Sequence, residues 1–125
     1  EVKIGFVPAI VMVFLLRKIG ERNARDLMLT GRLVTAVDAM HMGLINEVVE
    51  KETIEEKVNA LADGIILDAS SHSLHITKQM LANVQDMELN EALHYAAEMN
   101  AQTRATDDCR HGISSFLNKQ KPEWT

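Results

Sequence analysis

The chain has 125 residues, which suits one domain and hardly two. Residues of the AVILMFWYC set make up 46% and charged residues 25%, enough apolar material for a core, which excludes a disordered chain. The formal net charge is -5 and no basic stripe occurs, which argues against a general nucleic-acid binder. Cys109 is the single cysteine, so there is no internal disulfide framework and no thiolate zinc site. That usage fits a reducing compartment. The longest apolar run, residues 9–16, is far short of the about 20 residues a membrane span needs. Glu1 and Lys3 precede it and no small-residue cleavage site follows, unlike a signal peptide. The expectation is a soluble, cytoplasmic protein. It opens on Glu and enters apolar residues at once, and so reads as a piece of something longer.

Val2, Ile4 and Phe6 alternate with Lys3 and Gly5, a period of two that predicts a short strand. Pro8 suits the start of a helix. Residues 9–16 are apolar all round, so that helix is expected to be buried. Arg17 and Lys18 favour its C-terminal end, and Gly20 is its stop. A second helix is predicted over residues 21–29, with Ala24, Leu27 and Met28 inward and Thr30-Gly31 as the break. Thr35 and Asp38 have capping-box spacing before a short helix that Gly43 ends. Residues 44–49 are rich in branched side chains and read as a second strand.

From Glu52 the chain turns helical. Ile54, Val58, Leu61 and Ile65 form an apolar stripe. Ser70 and Ser73 are candidate caps for a helix over 74–84. Leu89, Ala92, Ala96, Met99 and Thr103 line one face of a longer helix. Asp107 or Asp108 caps the last, whose inner face is Cys109, Ile113, Phe116 and Leu117. The reading is mainly α with two short β segments. Two short strands make no stable sheet alone, so they either pair together or join a sheet from other sequence.

Generic chemical signals are weak. His72 and His75 share a helix face, but no carboxylate nearby in sequence completes a metal site, so surface histidines are the better reading. His41, His94 and His111 fall on predicted helices and read the same way. The methionines fall at helical spacing and read as core filler. Thr30-Gly31 and Gly43 are too sparse for a phosphate-cradling loop.

One set of spacings is more specific. The run from Glu1 to Pro8 places Glu, three residues, Gly5, an apolar pair and Pro8 in order. Ile19-Gly20, Ala24, Leu29-Thr30-Gly31, Ala36, Ala39, Gly43-Leu44 and Val48-Val49 follow. Near the end come Thr106-Asp107-Asp108, Gly112, Phe116, Lys119 and Lys121-Pro122. In this order and spacing the chain resembles the crotonase, or enoyl-CoA hydratase/isomerase, superfamily over essentially its whole length.

The resemblance implies the C-terminal half of the α/β crotonase fold, with the β-spiral upstream of it. Residues 1–50 would be the end of the core and residues 51–125 a helical oligomerisation region. Family members bind an acyl-CoA thioester, hold its oxygen with two backbone N–H groups, and stabilise the enolate. In hydratases two glutamates add water across the α,β double bond. Glu1 falls on the second of them, and Gly5 and Pro8 on the motif beside it. Lys119 matches a lysine that approaches the CoA phosphates. The oxyanion donors and the first glutamate lie upstream in the family, so the isolated chain is expected to be inactive. Hydratase is the first expectation. An isomerase, working with one glutamate, is the second, and a helical oligomerisation module the third. The implied partners are acyl-CoA, as substrate rather than cofactor, and copies of the chain in a trimer or a dimer of trimers. No cofactor, metal, nucleic acid or membrane is expected. The bulky residues 9–14 stand where many hydratases carry glycines, so acyl specificity does not carry over.

Overall fold

The computed structural model describes residues 1–124. They form six α-helices: α1 (Ala9–Thr30), α2 (Ala36–His41), α3 (Ile54–Asp68), α4 (Ser71–Asn83), α5 (Leu89–Arg104) and α6 (Asp107–Leu117). Short 3-10 turns cover Val2–Ile4, Lys51–Thr53 and Val84–Asp86. The chain divides into two compact units, Glu1–Ile54 and Glu55–Thr125.

In the first unit, α1 is two helical pieces joined at a kink. Gly20 has φ 73 and ψ 165, outside the helical region and open to glycine at little steric cost. At the break the Ile19 carbonyl accepts a hydrogen bond from the Asn23 side-chain amide at 3.1 Å. The glycine stop expected at this position is therefore present, with the next helix starting directly after it. Gly31, at φ 55, ends α1, and its N–H donates to the Leu27 carbonyl at 3.0 Å. A short helix follows its predicted cap, as the Thr35 hydroxyl accepts from the Asp38 N–H at 3.1 Å. Gly43, at φ 77, closes α2 in a Schellman motif: Gly43 N–H bonds the Met40 carbonyl and Leu44 N–H the Ala39 carbonyl.

The two expected β segments are a correction. Among the described residues there is no strand. Residues 2–4 curl into a 3-10 turn, and residues 44–49 are bends and irregular chain. A strand is held by hydrogen bonds to a neighbouring strand, and branched side chains do not replace that ladder. The expected burial of residues 9–16 is a second correction. Ile10 is 79% exposed and Phe14 65% exposed, while the buried residues of this unit are Pro8, Ile19, Ala24 and Ala39. An all-apolar helix is buried only where another surface covers it, and within this unit α1 lacks that cover on this face.

In the second unit, the Ser70 hydroxyl caps α4 by accepting from the Ser73 N–H at 3.0 Å. The same hydroxyl donates to the Asp108 carboxylate, which ties the starts of α4 and α6 together. Ser73 is thus the capped residue and not a cap. Thr106, rather than Asp107 or Asp108, caps α6, its hydroxyl accepting from the Cys109 N–H at 3.2 Å. The two aspartates sit in the first turn, where the helix dipole favours a negative charge. The Asn83 amide donates to the Tyr95 hydroxyl at 3.0 Å and joins α4 to α5. The face of α6 read as inward is exposed: Phe116 is 81% exposed, and Ile113 and Leu117 are exposed too. The stripe Ile54, Val58, Leu61 and Ile65 on α3 is likewise exposed.

Candidate active site

Glu1, Gly5 and Pro8 lie together at the start of the first unit. The Glu1 carbonyl accepts from the Ile4 N–H and the Phe6 N–H, both at 3.0 Å, so the chain doubles back over its first turn. Gly5 makes that reversal. Its φ of 81 is left-handed, and its N–H bonds the Val2 carbonyl at 3.3 Å. Gly5 therefore shapes the backbone next to Glu1. Pro8 is buried, one position before the first turn of α1, and its carbonyl accepts from the Met12 N–H at 3.1 Å. These contacts put the exposed Glu1 at the edge of an open groove of about 450 Å³. Val7, Ala9, Ile10, Val11 and Phe14 form the rest of its lining. Only Glu1 brings a charge to it, so the groove offers one carboxylate against an apolar wall.

A second hollow, of about 470 Å³, opens along the kinked α1 between Met12, Leu16, Ala24, Met28 and Leu29. Its polar groups are Glu21 and Arg25, which are paired with each other at 2.6 Å in solvent, one turn apart. Such a pair contributes little and leaves no spare group for chemistry.

Lys119 lies in the other unit, at the end of α6. The Lys119 N–H bonds the Phe116 carbonyl at 3.1 Å and the Gln120 N–H bonds the Ser115 carbonyl at 2.9 Å. These are the two bonds of a Schellman motif, and Lys119 occupies the position usually held by glycine, at φ 55. Beyond it, the Lys121 ammonium pairs with Asp68 at 2.6 Å. The Trp124 ring lies across α6, with its centroid 5.6 Å from that of His111 in an edge-to-face arrangement. Among the described residues, no three His, Cys, Asp or Glu side chains gather where they could hold a metal ion. No helix among them is long and apolar enough to cross a membrane.

Sequence reasoning did not single out Ile10 and Phe14 as neighbours of Glu1, nor Asp68 and Trp124 as neighbours of the Lys119 segment. The first pair was legible in principle. A helix starting at Ala9 returns to the same face every three or four residues, which aligns Ile10 and Phe14. The second was not, since a single turn residue and one ion pair leave no periodic signal.

A lone carboxylate over an apolar wall can move a proton to or from an apolar substrate, the task of an acid/base enzyme. The comparisons with known proteins show the family. Residues 1–125 match the enoyl-CoA hydratase/isomerase family, and the chain belongs to that family. It is 42% identical over 124 residues to a Thermus thermophilus protein provisionally named an enoyl-CoA hydratase, a match covering 99% of this chain and 49% of that one. It is 30% identical over 125 residues to the 2,3-dehydroadipyl-CoA hydratase of Escherichia coli, covering 99% of this chain and 49% of the relative. Its fold matches a crystal structure of enoyl-CoA hydratase from Mycobacterium smegmatis with a TM-score of 0.91 and 25% identity, covering 98% of this chain and 48% of the other. The chain thus spans about half the length of the curated relatives it matches.

Proposed function

We propose that this chain carries the proton-transfer glutamate and a phosphate-binding lysine of an enoyl-CoA hydratase. The observation that supports this best is Glu1. By the motif resemblance it falls on the family's second glutamate, and it borders an apolar groove suited to an acyl chain. The reaction adds the oxygen of water to the β-carbon and a proton to the α-carbon, both on one face. Glu1 delivers the α-carbon proton, and the water that attacks replaces it. The enolate formed on the way is held by two backbone N–H groups that, in the family, come from upstream sequence, as does the first glutamate. On this reading the 125-residue chain is inactive alone, and the acyl-CoA is its substrate with no cofactor required. Lys119, at the exposed end of α6, meets the CoA phosphates with its ammonium.

The test is a chimera in which residues 1–125 replace the matched segment of the Thermus thermophilus relative. It is expected to hydrate crotonyl-CoA, and Glu1→Gln in it to lower turnover by about 10²–10⁴. Full activity of the Glu1→Gln chimera would refute the assignment of Glu1. An isomerase is the second reading, because a single glutamate suffices to shuttle a proton between two carbons. A chimera that shifts a 3-enoyl double bond to the 2-position without hydrating it would favour that reading. The exposed stripe of Val58, Leu61 and Ile65 on α3 supports association into a trimer or a dimer of trimers. Light scattering of the purified chain reads that directly, and a clean monomer at high concentration would refute it.

A further inference from the structure

We propose that Asp68 and Trp124 are positioning residues that strap the segment after α6 in place and so fix the ammonium of Lys119. The inference rests on the reading of Lys119 as a ligand to the CoA phosphates and adds the device that presents it. After α6 the chain turns on Lys119, whose left-handed backbone is unfavourable for any residue with a side chain. Such a conformation persists where the surroundings over-determine it. Three contacts do so here. The Schellman bonds hold the turn from the helix side. Lys121 is tied to Asp68, the last residue of α3, at 2.6 Å. Trp124 is laid against α6, where its Cη2 comes within 3.2 Å of the place a Cβ on Gly112 would take. Glycine at 112 is what lets the indole approach the helix backbone so closely.

The two lysines of this segment therefore have different fates. Lys121 is paired with Asp68, whereas Lys119 makes no ion pair among the described residues and stands exposed two residues before the first anchor. The indole Nε1 of Trp124 is buried and finds no hydrogen-bond acceptor among the described residues, which costs docking free energy. The Asp68–Lys121 pair is solvent-exposed and weak. Both anchors are thus marginal, and a ligand phosphate on Lys119 shares with them the work of ordering the segment. The strap and the phosphate are coupled.

The experiment titrates free coenzyme A onto the 125-residue chain by calorimetry, for the native sequence and for Lys119→Ala, Asp68→Asn, Asp68→Glu and Trp124→Ala. Trp124 is the only tryptophan, so its emission reports docking of the strap separately. Lys119→Ala is expected to weaken coenzyme A binding about tenfold, the size of one charge-assisted contact. Asp68→Asn and Trp124→Ala are each expected to weaken it about threefold, with the thermal midpoint of the chain unchanged, and Asp68→Glu to restore it. In Asp68→Asn the Trp124 emission is expected to shift toward that of an exposed indole. Combined with Lys119→Ala, the Asp68→Asn change is expected to have no further effect, because both act through the same ammonium. If Lys119→Ala weakens binding while Asp68→Asn and Trp124→Ala do not, the strap is overturned and the phosphate reading stands. If Lys119→Ala leaves binding unchanged, or the native chain binds no coenzyme A, the phosphate reading falls and the strap proposal with it.

Discussion

Lys119→Gly is expected to make the protein more stable even as it removes a charge assigned to substrate. Lys119 sits at φ 55, the left-handed position of a Schellman motif that glycine occupies without steric cost. For a residue with a Cβ that conformation costs about 1–2 kcal/mol. Glycine gives back about 0.5–1 kcal/mol through the extra freedom it has when unfolded. The net gain is about 0.5–1 kcal/mol. With an unfolding entropy of about 2.1 cal/mol/K per residue, a chain of this length gains about 2–4 °C in thermal midpoint. Lys119→Ala is the control. It removes the same ammonium but keeps the Cβ, so its midpoint is expected to stay within about 1 °C of the native chain. Gly43 provides the reverse case, because it holds the same place at the end of α2 at φ 77, with nothing within 4 Å of an added Cβ. Gly43→Ala therefore adds strain without a clash and is expected to cost about 1 kcal/mol. Circular dichroism melts of the three variants decide the matter. Equal gains for Lys119→Gly and Lys119→Ala would refute the backbone argument and assign the effect to charge.

Other substitutions test the joints of each unit. Ser70→Ala removes both the α4 cap and the partner of Asp108, and is expected to cost about 2 kcal/mol in urea denaturation. A loss under about 0.5 kcal/mol would mean that the two helix starts are not tied there. Gly31→Ala places a Cβ 3.1 Å from Cγ2 of Val2 on a residue at φ 55, and is expected to cost about 1–3 kcal/mol. Adding Val2→Ala to it should recover only part of that loss, since the strained φ remains; full recovery would show that the clash alone matters. Thr35→Ala is expected to cost about 1 kcal/mol and to speed amide exchange across α2, and unchanged exchange there would refute the cap.

The helices were legible because their signals are local. The Thr35–Asp38 spacing, the Gly43 stop and the 3.6-residue stripe on α3 depend only on near neighbours, and the structure places helices at each. The Ser70 cap was legible for the same reason. Thr106, Asp107 and Asp108 are all good caps by residue type, and only the backbone decides which stands one residue before the first turn. The strands failed for the opposite reason. Alternation at Val2, Ile4 and Phe6 is a statement about two faces, and it becomes a strand only beside another strand. With Gly5 free to take a left-handed φ, the local turn won.

Burial failed in the same way. The run 9–16 announces an apolar surface but does not name what covers it. Among themselves, residues 1–124 leave Ile10, Val13, Phe14 and Leu16 of that run exposed. The candidate site has the same split. Glu1 and Lys119 were read from motif positions, and the structure adds what a motif cannot state. Glu1 shares a groove with Ile10 and Phe14, and Lys119 is followed by the Asp68–Lys121 pair and by Trp124 against Gly112. A motif marks which group does the chemistry, whereas the groups that hold it in place are chosen by the folded chain. Substitutions at Asp68 and Trp124 therefore separate an inherited lysine from a working one.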